Sequence, residues 1–125
     1  MSNTKNRIIW ILTILVAMMF IGAGFAKVLA SEEMVQAFAL FGLPSWFRVA
    51  IGSIEIVGGI LLLVPSMTGS AAFGLITIMI GAISCHIMFT PLSEGIPALL
   101  TLGILIFISL TRKNVIPVYL QKYLV

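Results

Sequence analysis

The sequence predicts an all-α integral membrane protein, a four-helix bundle with both termini in the cytoplasm (N-in/C-in) and a short interfacial helix between helices 1 and 2. Three observations lead to this fold class. Hydrophobic residues make up 61% of the 125-residue chain and charged residues only 9%, whereas a soluble domain carries about 25% charged residues. Four apolar stretches approach the length of about 20 residues that a spanning helix needs. The basic residues lie at the ends of these stretches rather than on one face.

The four apolar stretches follow one another with short connections, so we expect a single transmembrane domain over residues 1–125. Spanning helices are predicted at about residues 8–29, 46–64, 69–89 and 95–111. The uncharged run at residues 8–26 could instead be a signal peptide. That run exceeds the usual apolar core of about 7–15 residues in such peptides, so we interpret it as a retained first helix.

Residues 31–44 are less apolar and predict the short interfacial helix. Ser31 is a suitable N-cap, and two glutamates follow it in the first turn, where the helix dipole favours negative charge. Met34, Phe38 and Phe41 recur at i, i+4 and i+7 and would form one apolar face. A helix with one apolar face fits the surface of a bilayer.

The distribution of basic residues predicts the orientation, because Lys and Arg are enriched in cytoplasmic loops. With both termini inside, five basic residues face the cytoplasm and two face outward. The five are Lys5, Arg7, Arg112, Lys113 and Lys122, and the two are Lys27 and Arg48. The tail at residues 115–125, with Tyr119 and Tyr123, is expected along the inner interface. We therefore expect a multi-pass protein of the cell (inner) membrane.

Several classes of function are disfavoured by composition. The net charge of +3 does not indicate nucleic-acid binding, because the basic residues lie at helix ends. The chain has one histidine and no aspartate, which excludes a Ser-His-Asp triad and bis-histidine haem ligation within a monomer. No metal-ligand spacing is present, so no metal is expected. The single cysteine, Cys85, cannot form an internal disulfide and is interpreted as a packing residue.

Four ionisable residues within or beside the apolar spans form the candidate functional cluster: Lys27, Arg48, Glu55 and His86. In the predicted topology all four lie in the outer half of the bundle. A charged group at mid-membrane costs about 2.5–3.5 kcal/mol on insertion scales, and such residues usually mark a functional site. The structural alternative is that Glu55 is protonated, or pairs with one of the other three, and only holds the helices in register. Lys27 and Arg48 could also be interfacial anchors.

The geometry of ideal helices suggests which of these residues meet. Arg48 and Glu55 are seven residues apart, or about 10 Å along the axis, which is too far for an easy contact. Side chains lean toward the N-terminus of their helix, so Glu55 and His86 on antiparallel helices lean toward one another. A Glu55–His86 contact, direct or through water, is therefore plausible. Small residues beside this pair predict the helix-packing positions, which are Gly52, Gly58, Gly59 and Ala82.

Four motifs in order resemble the DoxX family and its DoxX-like relatives. Helix 1 ends with G-x-x-K at residues 24–27, followed by G-L-P at residues 42–44. Helix 2 carries G-x-x-E-x-x-G-G-x-L-L-L-x-P at residues 52–65, and helix 3 carries M-x-G-A-x-x-x-H at residues 79–86. The resemblance covers roughly residues 10–110.

This resemblance implies a four-helix inner-membrane protein that serves as a subunit or accessory of a quinone-linked or thiol-related oxidoreductase complex. Quinone is then the candidate cofactor, with Lys27, Glu55 and His86 as the matching positions. A proton-coupled small-molecule transporter and a non-catalytic scaffold remain as alternatives. The expected partners are the lipid bilayer, a soluble or membrane oxidoreductase and a second copy of the chain. Whether the chain is itself an enzyme stays open.

Overall fold

The computed structural model describes residues 3–112, and this part of the chain is helical without any strand. The predicted tail with Lys113, Tyr119, Lys122 and Tyr123 lies outside the described residues. The elements in chain order are α1 (Asn3–Val28), α2 (Glu32–Leu40), α3 (Ser45–Leu62), α4 (Thr68–Phe89), a 3₁₀ turn (Leu92–Gly95) and α5 (Ile96–Arg112). Four of the helices, α1, α3, α4 and α5 with its preceding turn, are long and apolar enough to cross a membrane. The predicted four-helix membrane bundle is therefore confirmed.

The ends of two helices differ slightly from the predicted ranges. α1 begins at Asn3, five residues before the apolar run. Residues 3–7 contain no glycine or proline, and extending an existing helix costs little compared with nucleating one. α3 ends at Leu62, and Thr68 Oγ1 lies 2.9 Å from the carbonyl oxygen of Leu62 and 3.0 Å from that of Val64. The Thr68 hydroxyl thus satisfies the exposed carbonyl groups at the end of α3.

The core is built from all four spanning helices and lies toward the end of the bundle that contains the α3–α4 turn. Its buried members include Phe20 of α1, Leu62 of α3, Leu75 of α4 and Leu105 of α5, each at most 1% exposed. Large apolar side chains also cover the outside of the bundle. Because lipid rather than water surrounds such a surface, these side chains contact the acyl chains of the bilayer.

Glycine residues bring α1 and α3 into close contact. A Cβ atom on Gly24 would lie 2.5 Å from the carbonyl oxygen of Gly52, and one on Gly52 would lie 2.7 Å from that of Gly24. Near the other end of α3, a Cβ on Gly59 would lie 2.9 Å from the carbonyl oxygen of Ala17. The two backbones therefore touch at positions where any side chain would separate them.

The predicted packing positions do not all lie on one seam. Gly52 and Gly59 face α1, whereas Gly58 faces Leu75 of α4, whose Cδ2 atom would lie 2.8 Å from an added Cβ. Ala82 of α4 packs against the core cluster. The difference arises because residues 58 and 59 are adjacent, and adjacent helical positions point about 100° apart.

α2 is bounded at both ends by residues in the left-handed backbone region. Ala30 has φ +58° and Gly42 has φ +73°. After α1, Ser31 N donates to Ala26 O (3.0 Å), and after α2, Leu43 N donates to Phe38 O (2.9 Å), which is the pattern of a Schellman motif. Ser31 also caps α2 by accepting a hydrogen bond from Met34 N at 3.4 Å.

Candidate functional site

A buried ion pair joins α1 to α3. Lys27 Nζ lies 2.8 Å from Glu55 Oε1, and the two side chains are 14% and 3% exposed. Although the distance is that of a hydrogen bond, Oε1 has no donor in hydrogen-bonding alignment among the described residues. The contact is therefore mainly electrostatic, and the carboxylate of Glu55 retains the capacity to accept a further hydrogen bond.

The pairing follows from the way that the two helices pack. Lys27 lies three residues after Gly24, and Glu55 lies three residues after Gly52. A Cβ on Gly52 would come within 2.8 Å of Lys27 Cβ, so the missing side chain makes room for the lysine stem. Because the helices are antiparallel and side chains lean toward the N-terminus of their own helix, Lys27 and Glu55 lean toward each other.

Arg48 holds the end of α1 rather than joining the ion pair directly. Its side chain is buried, and Nε donates a hydrogen bond of 2.9 Å to the carbonyl oxygen of Lys27. That carbonyl belongs to the last turn of α1, where the helix dipole favours positive charge. Arg48 is thus a positioning residue, since it fixes the backbone from which Lys27 extends.

His86 of α4 makes local contacts. Its Nδ1 lies 3.0 Å from Thr90 Oγ1, and Thr90 Oγ1 donates its proton to the carbonyl oxygen of His86 at 2.9 Å. The Thr90 hydroxyl thus orients the imidazole through Nδ1, and the tautomer of the ring determines which of the two atoms donates. The ring of Phe41 meets the imidazole edge to face, with 5.5 Å between ring centroids and an interplanar angle of 84°.

A cavity of about 1170 Å³ lies at the end of the bundle where α1 ends, α3 begins and α4 ends. Its wall contains Lys27, Glu55 and His86 together with Cys85. Most of the remaining lining is apolar and comes from α2, α3 and α4. A large, mainly apolar cavity with a few polar groups is typical of a site for small ligands.

The structure places the four candidate residues at one end of the bundle but connects them differently from the expected arrangement. Lys27, Arg48 and Glu55 form one connected group. The structure shows no direct Glu55–His86 contact, since His86 bonds Thr90; the two residues share the cavity wall, and a contact through water stays a prediction. The helical lean that brings Glu55 toward α4 brings it equally toward Lys27 on α1, and the glycine contact makes α1 the nearer helix.

Other cavity residues were not predicted as part of the site. Glu33 at the start of α2 and Glu94 in the 3₁₀ turn both line it. Their position depends on how two connections fold over the cavity, which no local pattern reveals. The Lys27–Glu55 pair, by contrast, had a signal in the matching G-x-x-K and G-x-x-E spacings of the two packed helices.

Comparison with known proteins identifies the family. The sequence profile of the DoxX-like family matches residues 11–109, which include α3 and α4 completely and all four candidate residues. The chain belongs to the DoxX-like family. It matches none of the curated proteins and none of the solved structures with which it was compared. This DoxX-like protein is accordingly a multi-pass membrane protein whose apolar helices contact lipid.

Proposed function

We propose that this DoxX-like protein is a membrane subunit or accessory of a quinone-linked or thiol-related oxidoreductase complex, and that its cavity binds a quinone headgroup. The observation that carries the proposal is the buried carboxylate of Glu55, which lines a large, mainly apolar cavity beside Lys27 and has more acceptor sites than one lysine can fill. A buried carboxylate that can accept another hydrogen bond invites a ligand with a donor group.

The cavity groups match the chemistry of a quinone ring. Its carbonyl oxygens would accept from the Lys27 ammonium, and the hydroxyls of its reduced form would donate to Glu55 or to Nε2 of His86. Phe38 and Phe41 offer aromatic surface for the ring. A bound quinone would supply electron acceptance, while the chain would orient the ring and provide groups that hold protons nearby.

This proposal requires an electron donor from outside the chain. The sequence contains one cysteine and therefore no internal thiol pair. We propose that a soluble or membrane oxidoreductase supplies the electrons, and that the complex lies in the cell (inner) membrane with both termini in the cytoplasm. A second copy of the chain is a further candidate partner, since large apolar side chains are exposed on all four spanning helices.

The direct test is binding of decylubiquinol, the reduced form of a short-chain ubiquinone analogue whose ring hydroxyls can donate to Glu55, to the protein purified in mild detergent. We expect the analogue to raise the thermal unfolding midpoint in a saturable way, because a ligand that binds the folded state stabilises it. Glu55→Gln should weaken binding by roughly tenfold, since it removes a hydrogen bond to a charged acceptor.

Glu32→Gln is the matched control, because Glu32 is exposed on α2 and outside the cavity wall. Its affinity for decylubiquinol should equal that of the wild type. Far-UV circular dichroism would establish that each variant is folded before binding is compared. Absence of saturable stabilisation in the wild type, or equal affinity in Glu55→Gln and Glu32→Gln, would refute the proposal.

A proton-coupled small-molecule transporter is the second candidate. It is favoured by the same observation, because an acidic group inside a membrane cavity is common in proton-driven transport. Uptake of a fluorescent amphiphile into proteoliposomes would then depend on a pH gradient and be lost in Glu55→Gln. A scaffold would show neither binding nor uptake and would instead co-purify with a stoichiometric partner.

A further inference from the structure

We propose that the segment from Ala30 to Gly42, which contains α2, is a hinged lid that opens and closes the cavity. This goes beyond the proposed function, because a lid would control access for a ligand of any chemistry. Four features of the segment carry the inference: its two ends, its inner face, the lack of side-chain polar bonds from α2 to the other described helices, and an aromatic contact with α4.

The ends of the segment have the backbone conformation expected of hinges. Ala30 has φ +58° and Gly42 has φ +73°. Glycine adopts the left-handed region readily, but alanine does so at a cost in free energy. In the present position the hydrogen bond from Ser31 N to Ala26 O holds Ala30 in this conformation, and movement of the segment would let Ala30 leave it. Hinges commonly consist of a few residues at the ends of elements that absorb large changes in φ and ψ.

The inner face of the segment forms one wall of the cavity. Met34, Ala37, Phe38 and Phe41 all line it, and they recur at i, i+3, i+4 and i+7 on one face of the helix. Phe38 is only 8% exposed. Outward movement of α2 would therefore remove a whole side of the cavity and open a path from the surrounding lipid or water.

Between the two capping turns, apolar contact alone holds α2 against the other helices. In the described part of the chain, the side chains of α2 form no hydrogen bond or ion pair with α1, α3, α4 or α5; Gln36, for example, bonds Glu32 within α2 itself. A helix held without polar bonds can separate from its neighbours without leaving unsatisfied donors or acceptors. The neighbouring ion pair of Lys27 and Glu55 stays in place, since neither residue belongs to the segment.

An aromatic cluster at the end of α2 holds the segment against α4, and we call this contact the latch. The ring of Phe41 lies between Phe38 on its own helix (6.2 Å between centroids) and two rings of α4. On α4, its centroid lies 5.5 Å from that of His86 and 6.1 Å from that of Phe89. These separations are within the range of favourable aromatic pairs. Phe41 is thus the residue whose removal should release the lid.

Cys85 offers a built-in reporter for the test. It is the sole cysteine of the chain, it is partly buried, and it lines the cavity. We would measure its labelling rate in the full-length protein in mild detergent, well below the unfolding midpoint. Two reagents would be compared: N-ethylmaleimide, which is small, and fluorescein-5-maleimide, which is bulky.

Phe41→Ala should speed labelling by the bulky reagent roughly tenfold, the factor that corresponds to losing one or two aromatic contacts. The labelling rate with the small reagent should rise less, because a small molecule needs a narrower opening to reach Cys85. Phe89→Ala, which removes the latch from the α4 side, should act in the same direction. Phe73→Ala is the matched control, since Phe73 is an exposed ring on α4 outside the cavity wall.

Ala30→Gly should have the opposite effect and slow bulky labelling roughly fivefold, because glycine removes the strain that favours opening. Opposite effects at the latch and at the hinge would support a lid. The inference is overturned if Phe41→Ala and Phe73→Ala label alike, if both reagents accelerate equally, or if Ala30→Gly speeds labelling. No quinone is used, so this result and the result of the quinone-binding experiment are independent.

Discussion

The effect of the Lys27–Glu55 ion pair on the stability of the fold depends on whether one partner or both are replaced. Bringing two charges out of water is costly, so the pair need not stabilise the fold relative to two apolar side chains. Removing one partner, however, leaves an uncompensated charge in an apolar environment. The pair therefore specifies which faces of α1 and α3 meet, and single substitutions should be worse than the double substitution.

A double-mutant cycle tests this at the ion pair. Glu55→Gln should lower the free energy of unfolding by about 3 kcal/mol or less, at the lower end of values for broken buried pairs because the cavity lets water reach Lys27. Lys27→Met combined with Glu55→Gln should recover most of that loss. Thermal unfolding in detergent measures the stability of the single and the double variant. Additive losses in the double variant would show that the two side chains do not interact.

A second prediction at the scale of single residues concerns Arg48. Arg48→Lys keeps the charge but removes the Nε donor that bonds the carbonyl oxygen of Lys27. We expect a loss of about 1.5 kcal/mol in the free energy of unfolding, in the range for hydrogen bonds that involve a charged group. Arg7→Lys, at an exposed position near the start of α1, serves as the control and should be neutral.

At the scale of elements, the contact between α1 and α3 positions the site. The backbones meet at Gly24 and Gly52, and this contact brings the side chains three residues further along each helix together. No hydrophobic force drives two helices together in lipid, so close van der Waals packing at small residues must do so. The geometry of the ion pair therefore depends on glycines that carry no functional group.

Two glycines of α1 allow a matched test of this dependence. Gly24→Ala would place a Cβ 2.5 Å from the carbonyl oxygen of Gly52, whereas Gly22→Ala would meet nothing within 4 Å. Gly24→Ala should cost about 1–3 kcal/mol through overpacking, while Gly22→Ala should be neutral or stabilising because alanine favours helix. Unfolding midpoints of the two variants in the same detergent give the comparison. Equal midpoints would mean that the helices do not meet at Gly24.

The elements differ in how far the sequence predicts them. The spanning helices are predictable because lipid leaves the backbone no other way to satisfy its polar groups. The cap of α2 at Ser31 is equally local. The sequence left Lys27, Arg48 and His86 open as partners of Glu55. Helical lean allows both Lys27 and His86, and only the backbone contact at Gly24 and Gly52 decides between them. The cavity wall from α2 depends on two left-handed turns, and one of them is at alanine, a residue that gives no turn signal.

At the scale of the whole molecule, the polar groups of the site are concentrated at one end of an otherwise apolar bundle. The cavity lies beside the ends of α1 and α4 and the start of α3, while the packed apolar core lies toward the end with the α3–α4 turn. This asymmetry separates the end of the bundle that contains the site from the end that contains the α3–α4 turn. Which side of the membrane the cavity faces then follows from the orientation of the chain.

The predicted N-in/C-in orientation places the cavity on the outer side. Labelling at the two ends of α4 can test this orientation. Ser66 precedes α4 and Ser93 follows it, and both are exposed, so α4 places them on opposite sides of a membrane. In a Cys85→Ser background, Ser93→Cys should react with a membrane-impermeant maleimide in intact cells. Ser66→Cys should react only after permeabilisation, because five of the seven basic residues are predicted on the cytoplasmic side. The reverse pattern would invert the topology and place the cavity on the cytoplasmic side, where its ligand and any oxidoreductase partner would have to be sought.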